Sequence, residues 1–305
     1  MSDRPLSGMR IGVFGKGGAG KSTVTVFLAR ALRNLDYSVV VLDADSSNVG
    51  LAAALGADRE PEALLTHFGG MVFSGGAVTC PVDDPTPLPG ADLRLEDLPP
   101  RFVARSPDGI HVLVAGKLGG LGPGAGCDGP VAKITRDLRV SCEGGDPVVV
   151  VDHKAGFEDA ARGALTAVHW ALVAVDPTTA ALRIARELAG TIAAIRRGVP
   201  PATRHLDRRE LVDIAVRVFR EARIRSVMAV LNRVAAPAVE AYLRAALEAS
   251  GAPTAAVFAE EPAVAEQWLR GKSLQSGQLA EAGGVLAREI EAEARLADQP
   301  ASLPA

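Results

Sequence analysis

Cysteine is scarce in this chain, and long apolar runs are missing. Only Cys80, Cys127 and Cys142 occur in 305 residues, too few and too scattered for a disulfide framework. No stretch approaches the roughly twenty apolar residues that a membrane-spanning helix needs. The N-terminus, Met-Ser-Asp-Arg-Pro, has neither the basic start nor the apolar core of a signal peptide. A strong excess of either charge is also lacking. The formal net charge of −3 argues against a general binder of nucleic acid or of an anionic membrane. Together these absences predict a cytoplasmic protein. What is present, 48% hydrophobic and 23% charged residues, suffices for one large α/β domain with a substantial core.

Apolar runs recur at Met9–Phe14, Ser38–Asp43, Ile110–Ala115, Pro147–Asp152, Trp170–Val175, Ser226–Leu231 and Thr254–Phe258. Most are Val-rich and apolar throughout rather than alternating, as in strands buried on both faces of a parallel sheet. Helical patterns such as Ala180–Arg197 and Val239–Ser250 separate most of them. The expected fold is α/β, a single doubly wound, mainly parallel sheet with helices on both faces, over residues 1–297. Its ligand should sit at the carboxyl edge of the strands. Two stretches break the rhythm. Gly69–Asp108 is rich in Pro and Gly and reads as an inserted loop region. Arg196–Arg225 carries nine arginines against four acids, with a helical stripe of Leu211, Ile214, Val218 and Phe219. It reads first as a solvated amphipathic helix, and second as a docking surface for an acidic partner. The tail, residues 298–305, is expected to be disordered.

Gly15–Thr23 reads Gly-Lys-Gly-Gly-Ala-Gly-Lys-Ser-Thr, which fits the phosphate-binding P-loop pattern. A strand precedes it and a helical pattern, Ser22–Leu32, follows. Backbone N–H groups of Gly15, Lys16, Gly17, Gly18, Ala19 and Gly20 can close around phosphate oxygens, helped by the helix N-terminus. Lys21 would reach the β- and γ-phosphates, Ser22 would ligate Mg²⁺, and Thr23 completes the motif. Leu42-Asp43-Ala44-Asp45 ends the second strand with two carboxylates beside this loop. Such carboxylates hold a metal-bound water or orient the attacking one, although alone they would read as strand-end caps. Pro147–Asp152 is an apolar strand ending in Asp, the Walker B form, whose carboxylate serves Mg²⁺. Among the five histidines, only His153 falls in such a motif.

With Lys16 included, the loop reads K-G-G-x-G-K-[ST] and resembles the deviant Walker A of the MinD/ParA family of dimerising ATPases. The resemblance implies a slow, Mg²⁺-dependent ATPase that forms a face-to-face homodimer when ATP is bound. Lys16 would then cross to the partner's nucleotide. It assigns Asp45 to water positioning and Asp43 to metal support. Asp152-His-Lys-Ala-Gly156 matches switch II, with Gly156 turning its N–H toward the γ-phosphate. Asn232, followed by Arg233, corresponds to the residue that hydrogen-bonds adenine.

Asp92–Lys117, Gly124-Ala-Gly-Cys127 and Asp152–Glu158 are similar to the carbon-monoxide-dehydrogenase maturation ATPases. This implies a client metalloenzyme as partner. Those proteins carry C-x-C, one pair per subunit, and join four thiolates around a metal at the dimer interface. Here the second position is Gly129, so a transition-metal site at Cys127 would have half its ligands. Cys127 therefore reads first as a loop or interface thiol and second as a metal ligand. Cys80 and Cys142 have no partner at metal-ligand spacing and read as structural. Nitrogenase iron protein is also similar, but no cysteine follows Asp152 to hold its shared cluster. A ParA-like cargo- or DNA-positioning ATPase is the competing function. Membrane attachment through the last helix, Gln278–Leu296, is disfavoured by Glu281, Glu289, Glu291 and Glu293.

Overall fold

Every residue of Arg10–Gly15 and of Val148–His153 is buried, as neighbouring strands covered on both faces require. The computed structural model describes residues 4–70, 78–117, 127–156 and 163–297. The expectations for the loop ahead of Cys127, for Phe157 and Glu158, and for the tail lie outside these residues.

The strands are β1 (Arg10–Gly15), β2 (Val39–Ala44), β3 (Asp92–Arg94), β4 (Ala104–Arg105), β5 (His111–Val114), β6 (Arg139–Ser141), β7 (Val148–His153), β8 (Trp170–Val175), β9 (Ser226–Asn232) and β10 (Thr254–Phe258). Eight form one sheet in the order β10-β9-β8-β1-β7-β2-β5-β4, parallel except for the antiparallel edge pair β4–β5. β3 and β6 make a separate parallel pair. All seven expected strands are in the large sheet.

The helices are α1 (Lys21–Asn34), α2 (Leu51–Leu55), α3 (Leu64–His67), α4 (Gly129–Asp137), α5 (Thr179–Arg196), α6 (Arg209–Arg220), α7 (Pro237–Glu248), α8 (Pro262–Leu269) and α9 (Gly277–Ala297). One face of the sheet is covered by α1 and α9, whose Val24, Leu28, Leu286 and Ile290 pack with Ile11 and Val13. On the other face, α5 and α7 bring Leu188, Ile192 and Leu247 against Phe14 and Val173. α4 brings Val131 and Ile134 against Leu42 and Val151. At about 25 cal/mol per Å² of apolar area, these layers supply most of the drive to fold.

α4 ends at Asp137, because Arg139–Ser141 pair with β3. Two expectations change. The Pro- and Gly-rich insertion carries its own share of core: Leu88, Leu95, Leu98 and Phe102 are buried with α4. The Arg-rich segment does form an amphipathic helix, α6, but its most buried residues are Leu211 and Ala215, while Arg217 and Arg220 face solvent. Ile214, Val218 and Phe219 are half-buried. No helix among the described residues is long and apolar enough to cross a membrane.

Candidate functional site

β1 delivers the P-loop to the carboxyl edge of the sheet, and α1 starts at Lys21. The loop closes on itself through Ala19 N–H, which donates to the Lys16 carbonyl at 3.1 Å. Gly20 has φ +92°, a left-handed conformation that disfavours any side chain. A Cβ there would also lie 1.9 Å from the Asn232 amide nitrogen, which donates to the Ala19 carbonyl at 2.7 Å. Asn232 thus braces the loop from the end of β9. The Lys21 side chain is buried.

Strand register aligns the two acidic strand ends, with Asp43 of β2 beside Asp152 of β7. Ser22 Oγ donates to Asp152 Oδ2 at 2.5 Å, and Asn48 Nδ2 donates to Ser22 Oγ at 3.0 Å. Asp152 is fully buried, and its Oδ1 has no hydrogen-bond partner. Burial pushes its carboxyl up to about 6, against the pull of Ser22 and Lys21. An orphaned carboxylate oxygen beside a serine hydroxyl is a donor set that suits Mg²⁺. Asp43 differs, because both its oxygens are engaged. Oδ1 accepts from Asp45 N–H at 3.1 Å and Oδ2 from Lys117 Nζ at 2.7 Å. Its carboxyl is raised to about 7 by burial, with Lys117 opposing and Asp152 adding. Asp45 Oδ1 accepts from Ser47 N, Ser47 Oγ and Asn48 N, which fixes the turn after β2.

Lys21, Ser22, Asp45, Ser47 and Asn48 border a cleft of ≈ 630 Å³ that also includes Gly17, Gly18, Thr23, Asn232, Arg233 and Trp268. Asp45 lines the cleft, and Asp43 sits behind it. Arg233 takes a left-handed φ of 56°, its N–H bonded to the Phe258 carbonyl at 2.9 Å. Trp268 on α8 donates its indole N–H to Thr23 Oγ1 at 3.0 Å. The cleft is therefore lined by both the glycine-rich loop and a wall that carries an indole, Trp268, and an amide, Asn232.

Residues 13–274 match the CobQ/CobB/MinD/ParA nucleotide-binding domain. The chain belongs to this family. It is 31% identical to the carbon monoxide dehydrogenase accessory protein CooC of Rhodospirillum rubrum over 189 residues, 60% of this chain and 68% of that protein. It is 30% identical to an uncharacterized ATP-binding protein of Methanocaldococcus jannaschii over 182 residues, 59% of this chain and 72% of that protein. Its fold is like that of the cell-division ATPase MinD of Pyrococcus furiosus, with a TM-score of 0.57 at 20% identity, covering 94% of this chain and 99% of that one.

In this member of the family, several further residues join the nucleotide cleft to its surroundings. Lys16 Nζ pairs with Asp176 Oδ2 at 3.1 Å, just beyond β8. Gly156 N–H donates to the Gly15 carbonyl at 3.1 Å, so the Walker B strand's loop is tied to the P-loop. Lys117 Nζ holds, besides Asp43, the carbonyls of Asp45 at 2.6 Å and Asn48 at 2.5 Å. Asp128 takes a hydrogen bond from Ser46 on one oxygen and an ion pair from Lys154 on the other. One carboxylate thereby links the loop after β2 to the loop after β7, next to Cys127.

Lys117, Asp128 and Lys154 lay within stretches read from sequence but were given no role, and Asp176, Asn48 and Trp268 were not singled out. Asp176 was findable, since it ends a buried strand at the same sheet edge as Asp43 and Asp152. Trp268 left no signal. His153 proves to be a packing residue. It is buried, stacks on Phe14 with ring centroids 4.1 Å apart, and has no partner for either nitrogen. Burial holds it down to about 3, with Arg10 and Lys21 adding, so it is neutral. Cys80, Cys127 and Cys142 are free thiols, and Cys127 alone is exposed. Among the described residues no group of three or more His, Cys, Asp or Glu is placed to hold a metal ion.

Proposed function

We propose that this protein is a Mg²⁺-dependent ATPase whose nucleotide cycle serves the maturation of a metalloenzyme such as carbon monoxide dehydrogenase. One observation carries the maturation reading. Asp128, adjacent to the exposed Cys127, is bonded by Ser46 after the first acidic strand end and by Lys154 after the second. Ser47 and Asn48 of the first loop and Ala155 of the second line the cleft, so a nucleotide bound there would be linked through Asp128 to the cysteine's neighbour. The 31% identity to a carbon monoxide dehydrogenase accessory protein supports the same reading.

In this mechanism the P-loop N–H groups and Lys21 hold the phosphates, and Asn232, Arg233 and Trp268 receive the base and sugar. Asp45 lines the cleft and orients the attacking water. Ser22 and Asp152 would hold Mg²⁺, which supplies charge neutralisation at the phosphates. Lys16 exchanges Asp176 for a partner subunit's nucleotide in an ATP-bound homodimer, adding positive charge where negative charge develops. Cytoplasmic ATP is the fuel, and the client is the partner.

Calorimetry with a non-hydrolysable ATP analogue and Mg²⁺ tests the first part. Wild type should bind and Lys21→Ala should not. Activation of metal-depleted carbon monoxide dehydrogenase by protein, nickel and ATP tests the second. Analogue binding without any ATP-dependent activation would remove the maturation role and leave the ATPase.

A further inference from the structure

Gly129 has no room for a side chain because Cys80 fills the space. A Cβ built on Gly129 would lie 2.7 Å from Cys80 Cβ and 2.8 Å from its sulfur. The same glycine's N–H points at Cys127 Sγ, 3.4 Å away. Two cysteines 47 positions apart in sequence, by their numbering, therefore meet on one residue. Adding standard bond lengths to these contacts caps the sulfur–sulfur separation at about 9 Å. A cysteine at position 129 would collide with Cys80 as it stands.

We propose that Cys80 and Cys127 together form a two-thiolate site, within one subunit, for a soft divalent metal ion such as nickel or zinc. This deepens the maturation reading and rests on it, with the metal as cargo. It also revises Cys80 from a structural residue to a ligand. The two thiols are held differently. Cys80 sits in a turn fixed by Asp83 and Asp84, whose N–H groups both donate to its carbonyl, at 3.2 and 2.8 Å. Lys133 ties that turn to α4 through Thr79 at 3.1 Å and Asp84 at 2.9 Å. Cys127 is exposed, and its sulfur accepts only the long contact from Gly129 N–H at 3.4 Å among the hydrogen bonds described. Binding requires both thiols to ionise, so their protons leave to solvent as two metal–sulfur bonds form. Two thiolates leave half of a tetrahedral shell open for water or for a receiving protein's ligands. An unfinished shell suits a metal that must be handed on. Cys142 is bound elsewhere, to Ser38 at 3.4 Å and the Gly145 carbonyl at 3.0 Å, at the opposite sheet edge.

Metal titration of the full chain tests the site, using Co²⁺ for its thiolate charge-transfer band and Zn²⁺ against a chromophoric chelator for affinity. Wild type and Cys142→Ser should show the band and bind alike. Cys80→Ser and Cys127→Ser should each lose affinity by about tenfold or more, since changes even in outer-shell ligands cost that much. Calorimetry with the ATP analogue on the same samples reports whether each variant is folded. Dibromobimane, which fluoresces on bridging two nearby thiols, should join Cys80 to Cys127 in wild type. This readout survives a Cys80→Ser variant that fails to fold. Wild-type metal affinity in a folded Cys80→Ser, or no bridged peptide in wild type, overturns the site. Normal metal binding without analogue binding would instead overturn the nucleotide reading and leave the site standing.

Discussion

The ammonium of Lys16 lies 3.1 Å from the carboxylate of Asp176 in its own subunit. Both side chains are largely shielded, and Thr178 Oγ1 donates to the other Asp176 oxygen at 2.6 Å, so the acceptor is held in place. The lysine that would act on a neighbour's nucleotide is thus parked at home. An ion pair of this exposure is worth about 1 kcal/mol or less, small enough for ATP-driven association to break.

Asp176→Asn should release Lys16 and favour the ATP-bound dimer by up to about fivefold in dissociation constant, as follows from that energy. Sedimentation velocity with the ATP analogue measures it. Lys16→Ala should bind ATP but hydrolyse it on the order of 10³-fold more slowly, by analogy with other cationic groups at phosphoryl transfer. Unchanged turnover in Lys16→Ala would end the cross-subunit role.

Asp152 gives a pH signature. Its carboxyl is raised to about 6 by burial, so between pH 4 and 6 the folded chain keeps a proton that the unfolded chain has released. Stability from this group is therefore complete at low pH and is lost as pH rises through 6. Asp152→Asn should be more stable than wild type at pH 7.5, by on the order of 1–3 kcal/mol, and should lose that advantage near pH 4. The same variant should not turn over ATP. Denaturant melts at the two pH values give the comparison, and an advantage that grows toward low pH would contradict it.

Ser46→Ala and Asp128→Asn should each lower ATP turnover, and the double variant should be no worse than the stronger single one. Residues in one network couple by about 0.5–3 kcal/mol, which a double-mutant cycle resolves. Additive effects would mean that Asp128 does not link the two loops.

Gly20→Ala should cost about 1–3 kcal/mol of stability through left-handed strain and displacement of Asn232. Analogue affinity should fall as well, because Asn232 would release the Ala19 carbonyl. A thermal melt and calorimetry on one preparation test both parts.

The strands were legible because buried parallel strands leave uninterrupted apolar runs, and β1, β2, β7, β8 and β9 do. The P-loop was legible because its chemistry fixes local spacing. β3 and β6 were not, being three residues each with none of them buried. The insertion's composition signalled turns but hid Leu95 and Phe102, which join a core shared with α4 and the sheet. The site's long-range pairs, Lys16–Asp176, Lys117–Asp43 and Lys154–Asp128, join residues that no periodicity relates. Cys80 illustrates the same limit. Its significance lies in what it touches, not in its spacing.

The placement of the two tryptophans turns the protein into its own optical gauge. Trp170 is fully buried in the central sheet, its indole anchored to Glu293 at 3.1 Å. Trp268 stands half-exposed in the cleft wall, tied to the hydroxyl of Thr23 in the P-loop. One chromophore is therefore a steady internal standard, and the other sits where an entering base would change its quenching and polarity. Intrinsic emission can follow occupancy in real time on the unlabelled chain.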